Sequence, residues 1–279
     1  MTISIAGGLL LALGSAAALN WGYFIQHAAA TALPALSLRR PIHSLVLLFR
    51  DVRWVIGFFT GIGGWALYVG ALALAPLSIV QATSAGGIAL LAALVGRLNR
   101  REQLAVGVAV VGLLLLGLSL IGTHSPTSHG AWKSVAVWMA VSVIVALVAA
   151  GPASAALAGG AGLGIAAGLL YAAGDVGTKA ALAGGTRFGF VPALLACHGL
   201  AFVCLQFGFQ RGGALATAGM ATLWTNVLPI AAGSVLFAEA LPDGFRGAGR
   251  VAAFACVVAG AVALARPETP AGPAFEPTV

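Results

Sequence analysis

Of the seven acidic residues in the chain, only Asp175 falls well inside a membrane-length apolar run. It lies in the stretch 158–182, AGGAGLGIAAGLLYAAGDVGTKAAL. A charge at such depth is costly in hydrocarbon, so an ionisable side chain there marks a solute or proton pathway by default. Gly160, Gly164 and Gly168 recur every fourth residue and form a flat stripe on a helix. At about 100° per residue, Asp175 sits roughly 20° from both Gly164 and Gly168, on the face that another helix can approach. Lys179 follows one turn later, within i,i+4 reach. Two readings stay open at this point. Asp175 lines a pathway, or it is neutralised by Lys179, whose ammonium snorkels toward the headgroups.

Other residues in apolar runs carry usable polar chemistry. Pro229 has no N–H to give the Thr225 carbonyl. Asn226 stands beside it, with Thr222 one turn earlier and Trp224 nearby. A freed carbonyl, an amide and a hydroxyl are ligands of the kind transporters gather at a broken helix; a kink packed by its neighbours is the plainer alternative. Gln81 and Ser84 share a face and suit hydrogen bonding between helices. His198, in mid-span, either relays protons or bonds a backbone carbonyl. Asn20 and Tyr23 lie within roughly 60° of each other on one helix and are placed at the same cavity. Cys197, Cys204 and Cys256 lie in apolar segments without disulfide or metal spacing. His43, His124 and His129 fall in loops, again without ligand spacing. No nucleotide loop, nucleophile motif or pair of catalytic carboxylates is present, so an enzyme, a cofactor and a resident metal are not expected.

Composition demands a bilayer around these residues. The chain is 60% hydrophobic and 8% charged, against roughly 25% charged for soluble domains, and its mean hydropathy is +1.03. The net charge of +7 would suggest nucleic acid in a soluble protein. Here the basic residues end the apolar runs, which points to orientation in a membrane and to no nucleic-acid partner. Runs of about 20 apolar residues predict helices. Spans are expected at about 3–29, two within 54–96 turning at Ala75-Pro76, then 102–122, 131–149, 158–182, 188–210, 214–238 and 244–265. The apolar piece 44–49 is too short to span, and the tail from Pro267 is expected to be disordered.

A shift of 152 residues lays the first span on the sixth. Ala6-Gly7-Gly8 meets Ala158-Gly159-Gly160, Gly22 meets Gly174, and Tyr23 and His27 take the places of Asp175 and Lys179. A shift near 142 sets Gly107 on Gly249 and Arg97 on Glu239. The reading is an all-α integral membrane protein of about nine transmembrane helices, in two inverted four-helix units joined by a linking helix. Its parts are 1–122 (first repeat), 123–152 (linking helix), 153–266 (second repeat) and 267–279 (tail). Inverted repeats place a substrate site near the midplane. Seven arginines in the loops 39–53 and 97–101 put those loops in the cytoplasm and the N-terminus outside.

Leu19-Asn20-Trp21-Gly22-Tyr23-Phe24, Ala71-Leu72-Ala73-Leu74-Ala75-Pro76-Leu77-Ser78 and Leu236-Phe237-Ala238-Glu239-Ala240-Leu241 resemble motifs of the drug/metabolite transporter superfamily, with its EamA-type units. Nine spans in place of ten resemble the NIPA-type magnesium transporters and two fused small-multidrug-resistance units. Gly174-Asp175-Val176-Gly177-Thr178 is similar to the acid-bearing first helix of the latter. The resemblance implies a secondary transporter in the plasma or inner membrane. It would export a small organic solute in exchange for protons through Asp175; the polar residues read above, Lys179, Asn226, Thr222, Trp224, Tyr23, Asn20, Gln81 and His198, are the other expected members of the pathway. The alternatives are a divalent-cation transporter, which would want several oxygen ligands, and a non-transporting subunit, which would be packed solid between the units. The solute, the direction of transport and the oligomeric state are left open.

Overall fold

In the computed structural model the chain is all-helical, with no strand among the described residues, which are 2–37, 39–84, 86–96, 98–120, 130–151, 157, 159–238 and 244–265. The helices are α1 (Thr2–Ala32), α2 (Pro41–Arg50), α3 (Val52–Leu74), α4 (Leu77–Ser84), α5 (Gly87–Val95), α6 (Arg100–Leu120), α7 (Trp132–Ala150), α8 (Ala161–Ala181), α9 (Val191–Phe209), α10 (Met220–Leu236) and α11 (Phe245–Ala265). A 3₁₀ stretch, Gly185–Phe190, leads into α9, and a π turn, Leu215–Gly219, leads into α10. Six of the helices described are long and apolar enough to cross a membrane: α1, α3, α7, α8, and α9 and α10 with their leading turns. The chain is a multi-pass membrane protein.

The expected turn at Ala75-Pro76 is present. α3 ends at Leu74, and Ala75 is extended (φ −142°, ψ 158°), as a residue before proline prefers. Two elements depart from the expected spans. The helix after this turn is interrupted between Ser84 and Gly87, giving α4 and α5. Gly86-Gly87 supplies the weak point, and a Cβ on Gly87 would strike the Asn20 amide of α1. Residues 41–50, expected as loop, form α2, with Pro41 in its first turn. Asp51 separates α2 from α3 and caps α3, accepting from Trp54 N at 2.9 Å. Arg97, Glu239 and the tail from 267 lie outside the described residues.

Small residues set the close helix contacts, as lipid requires. Gly22 of α1 opposes Gly57 of α3, where an added Cβ would lie 2.8 Å from the Gly57 carbonyl. Gly112 of α6 and Gly260 of α11 oppose the Ala253 and Ala105 carbonyls in the same way. The predicted stripe of α8 packs on the π turn and α10. A Cβ on Gly164 would strike the Thr217 carbonyl, and one on Gly168 would lie 2.6 Å from Trp224 Cβ. α8 is therefore buried on almost every side and is the most enclosed of the six spans.

Basic side chains close helix C-termini across the bundle, where carbonyls lack partners and the dipole is negative. Lys179 of α8 donates to the Leu72 and Ala75 carbonyls at the end of α3, at 3.0 and 3.1 Å. Arg101 of α6 donates through Nε to the Ala263 carbonyl near the end of α11 at 3.0 Å.

Candidate functional site

Six helices surround one central cavity of about 350 Å³. α1 contributes Ala16, Leu19, Asn20, Tyr23 and Gln26; α3 contributes Phe58, Gly61, Ile62, Trp65 and Tyr68; α4 contributes Gln81 and Ser84. From the second half come Tyr171 and Asp175 of α8, Leu195, His198, Gly199 and Phe202 of α9, and Thr222, Thr225 and Asn226 of α10. The walls are thus largely aromatic and apolar, with a few convergent polar groups, as in small-molecule sites generally.

Asp175 is 4% exposed, and its carboxylate is held from both halves of the chain. Gln81 Nε2 donates to Oδ2 at 2.9 Å and to Tyr68 Oη at 2.5 Å, and the Tyr68 hydroxyl in turn bonds the carboxylate. From the other side His198 Nε2 stands 3.5 Å from Oδ1. His198 is pressed there by the lack of a side chain at Gly174, where a Cβ would run into the imidazole ring. Trp65 and Tyr171 pack edge-on against the same ring, with centroids 5.6 and 5.7 Å away.

The tautomer of His198 follows from its other nitrogen. Nδ1 lies 2.8 Å from the Leu194 carbonyl, which only accepts, so Nδ1 carries a hydrogen. In neutral histidine Nε2 is then a lone pair facing a carboxylate oxygen. A proton placed between the two groups would turn that contact into a hydrogen bond. His198 thereby makes the expected carbonyl bond and also stands at the acid.

Polar groups on the other walls are only partly satisfied. Asn20 Nδ2 donates to the Ala16 carbonyl at 2.9 Å, and its Oδ1 accepts from Thr222 Oγ1 at 3.3 Å. Asn226 Nδ2 donates to the Thr222 carbonyl at 2.7 Å, while its buried Oδ1 has no protein partner. Ser84 Oγ and Trp65 Nε1 are likewise buried without a protein partner. Tyr23 and Tyr171 bond each other through their hydroxyls. At the far end Trp54 Nε1 donates to Gln206 Oε1 at 2.8 Å, and Gln206 Nε2 donates to Gln26 Oε1 at 2.6 Å.

Seven of the nine expected residues meet at this cavity: Asn20, Tyr23, Gln81, Asp175, His198, Thr222 and Asn226. Two do not line it. Lys179 turns to the end of α3 and bonds the Leu72 and Ala75 carbonyls, and His198 takes the position at the acid that i,i+4 spacing suggested for Lys179. Trp224 packs against Gly168 at the α8–α10 contact, because the missing side chain there admits its Cβ. Trp65, Tyr68, Tyr171 and Gln26 complete the site and were not anticipated. Tyr171, one turn before Asp175 on the same face, was the one with a usable signal.

The position of Lys179 has a measurable consequence. Lys179→Met uncaps two carbonyls and should lower stability by about 1–3 kcal/mol. In a double-mutant cycle with Asp175→Asn, followed by unfolding in detergent, the coupling should be well under the about 3–5 kcal/mol expected for breaking a buried ion pair. A coupling of that size would restore the Lys179–Asp175 pair.

Compared with known proteins, the chain matches no family model, and no curated protein or solved structure matches it significantly.

Proposed function

We propose that the chain is a secondary transporter that exchanges a small organic solute, preferably a monovalent organic cation, for one proton at the Asp175–His198 pair. The observation that carries this reading is a carboxylate at a central cavity, bonded to α3 and α4 on one side and facing α9 on the other. A non-transporting subunit would be packed solid at this place. Aromatic rings beside one acid suit a cation through ring faces and charge. Magnesium would want several oxygens and a carboxylate or two; among the described residues the cavity offers one acid, already engaged by three side chains.

The mechanism rests on which bonds the acid keeps. Ionised, Asp175 accepts from Gln81 and Tyr68 and ties the α3–α4 hairpin to α8. A cation entering the cavity competes with the proton for the same carboxylate. Protonation discharges the acid and weakens its hold on both donors, since charge-assisted hydrogen bonds are roughly twice as strong as neutral ones. Loading with a proton or with a cation therefore biases the contact between the two halves differently, which coupled exchange requires.

The helix packing supports two related halves. Exchanging α1, α3, α4 and α6 with α8, α9, α10 and α11 maps the α1–α3 contact onto α8–α9 and α1–α4 onto α8–α10, and leaves α4–α10 and α6–α11 as pairs across the exchange. With α4–α5 taken as one interrupted span and α7 as the link, four, one and four spans make the halves inverted, as in the drug/metabolite transporter superfamily that the sequence resembles. The arginine-rich loops then face the cytoplasm, in a plasma or inner membrane.

The test is accumulation by purified protein in liposomes, with benzyltrimethylammonium as the probe cation. With the lumen acid, one-for-one exchange is electroneutral, and each pH unit (about 1.4 kcal/mol) sustains up to about tenfold accumulation. Accumulation that follows the membrane potential instead of the pH gradient, or uptake of magnesium in its place, would overturn the proposal.

A further inference from the structure

The connection between α1 and α3 carries a helix that the exchange site does not use. α2 has three faces. Ser44 and Leu48 are buried; Ser37 N donates to Ser44 Oγ at 2.9 Å, and Leu48 joins Ala29, Leu36 and Trp54 in an apolar cluster. Ile42, Leu45, Val46 and Phe49, spaced i, i+3, i+4 and i+7, are exposed, Ile42 at 78% and Phe49 at 48%. His43 and Arg50 are also exposed and lie roughly 100° further round at 100° per residue. The helix is thus fastened to the protein along one side and turns an apolar stripe and a basic edge outward.

From these faces we infer that α2 is an in-plane interfacial helix that recognises the headgroups of anionic phospholipids. Charge selects the occupant. Arg39, Arg40, Arg50 and Arg53 are all exposed around α2, and the one acid among them, Asp51, is engaged at the start of α3. Continuity with the bilayer-facing surface supports the same choice. Phe49 packs on Phe58 and Phe58 on Phe59, with centroids 5.5 and 5.4 Å apart, and Val52, Ile56 and Phe59 extend the exposed apolar surface along the spanning helix α3. Length excludes a span. Ten residues reach only about 15 Å, half of a hydrocarbon core of about 30 Å, and the extended Asp51 breaks the axis before α3. A short helix with an apolar stripe beside a basic edge lies at the headgroup boundary, and basic clusters there select anionic lipid.

The seat of α2 is linked to the cavity through packed side chains. Leu48 and Phe49 rest on Trp54, which donates to Gln206, and Gln206 donates to the cavity residue Gln26.

Spin-label accessibility tests the proposal on the full chain in liposomes. Cys197, Cys204 and Cys256 are replaced by Ala, and single cysteines are placed by Leu45→Cys and His43→Cys. In phosphatidylcholine vesicles containing phosphatidylglycerol, the label at 45 should meet oxygen and be shielded from a water-soluble nickel chelate, and the label at 43 should show the reverse. Removing phosphatidylglycerol, or adding salt, should raise chelate access at 45. Each arginine near an anionic surface is worth a factor of roughly five in binding. Replacing Arg39, Arg40, Arg50 and Arg53 together by Gln should therefore abolish the lipid dependence, and replacing all four by Lys should keep most of it. Four outcomes would overturn the proposal: chelate access at 45 in the anionic vesicles, immersion indifferent to phosphatidylglycerol, lipid dependence that survives the four Gln changes, or dipolar broadening between labels at 45, which would assign the face to a second copy of the chain.

Discussion

Asp175→Asn should abolish accumulation against a pH gradient while leaving the protein folded and inserted. The amide keeps the shape of the side chain and an oxygen for Gln81 and Tyr68, but removes the charge that binds either a proton or a cation. Accumulation of up to about tenfold per pH unit should collapse to equilibration. The structural cost is small by comparison, because hydrogen bonds to a charged group contribute about 1.5–3 kcal/mol each and the amide retains part of them. Lys179 is not stranded by the change, since its partners include the Leu72 and Ala75 carbonyls. Size-exclusion behaviour and the unfolding temperature in detergent report folding separately from transport. Loss of accumulation in a well-folded variant therefore speaks to the site and not to assembly.

Gly164→Ala should be strongly destabilising, although it adds a single methyl to a helix interior. Ordinarily Ala for Gly stabilises a helix interior by roughly 0.5–1 kcal/mol. At 164 the new methyl would strike the Thr217 carbonyl, and backbone atoms cannot rotate out of its way. Overpacking of this kind costs about 1–3 kcal/mol and occasionally more, so the sign reverses. Gly63→Ala is the matched control, because a Cβ there meets nothing within 4 Å. Unfolding midpoints of the two variants in one detergent should fall on opposite sides of the parent. A neutral Gly164→Ala would mean that α8 and the π turn before α10 are not in backbone contact.

The contrast between these positions shows what the sequence made legible. A glycine every fourth residue is a period-four signal, and it placed the approach face of α8 and the acid beside it. The Ala75-Pro76 turn was readable because proline fixes its predecessor in extended backbone. The partner of Asp175 was not readable, because His198 comes from another helix and reaches the acid over the bare Cα of Gly174. Sequence spacing offered Lys179 instead; it cannot show that two unpaired carbonyls end α3 within reach of that ammonium. Trp65, Tyr68 and Tyr171 were missed for a related reason, since an aromatic ring inside an apolar run reads alike whether it faces lipid, core or cavity. The break between α4 and α5 has a signal in Gly86-Gly87, which an uncharged apolar run does not by itself reveal. α2 is too short to read as a span, but ten residues are enough for a helix that lies on a surface.

The central claim is that one proton is held between Asp175 and His198 and is exchanged for the solute. Proton release on binding tests it most directly. Detergent-solubilised protein in weakly buffered solution, at a pH where the pair holds its proton, is titrated with benzyltrimethylammonium while the bulk pH is recorded. About one proton should leave per cation bound, and Asp175→Asn should release none. Release of the same size from the Asp175→Asn variant, or saturable binding by the parent protein with no release at any pH, would contradict the account.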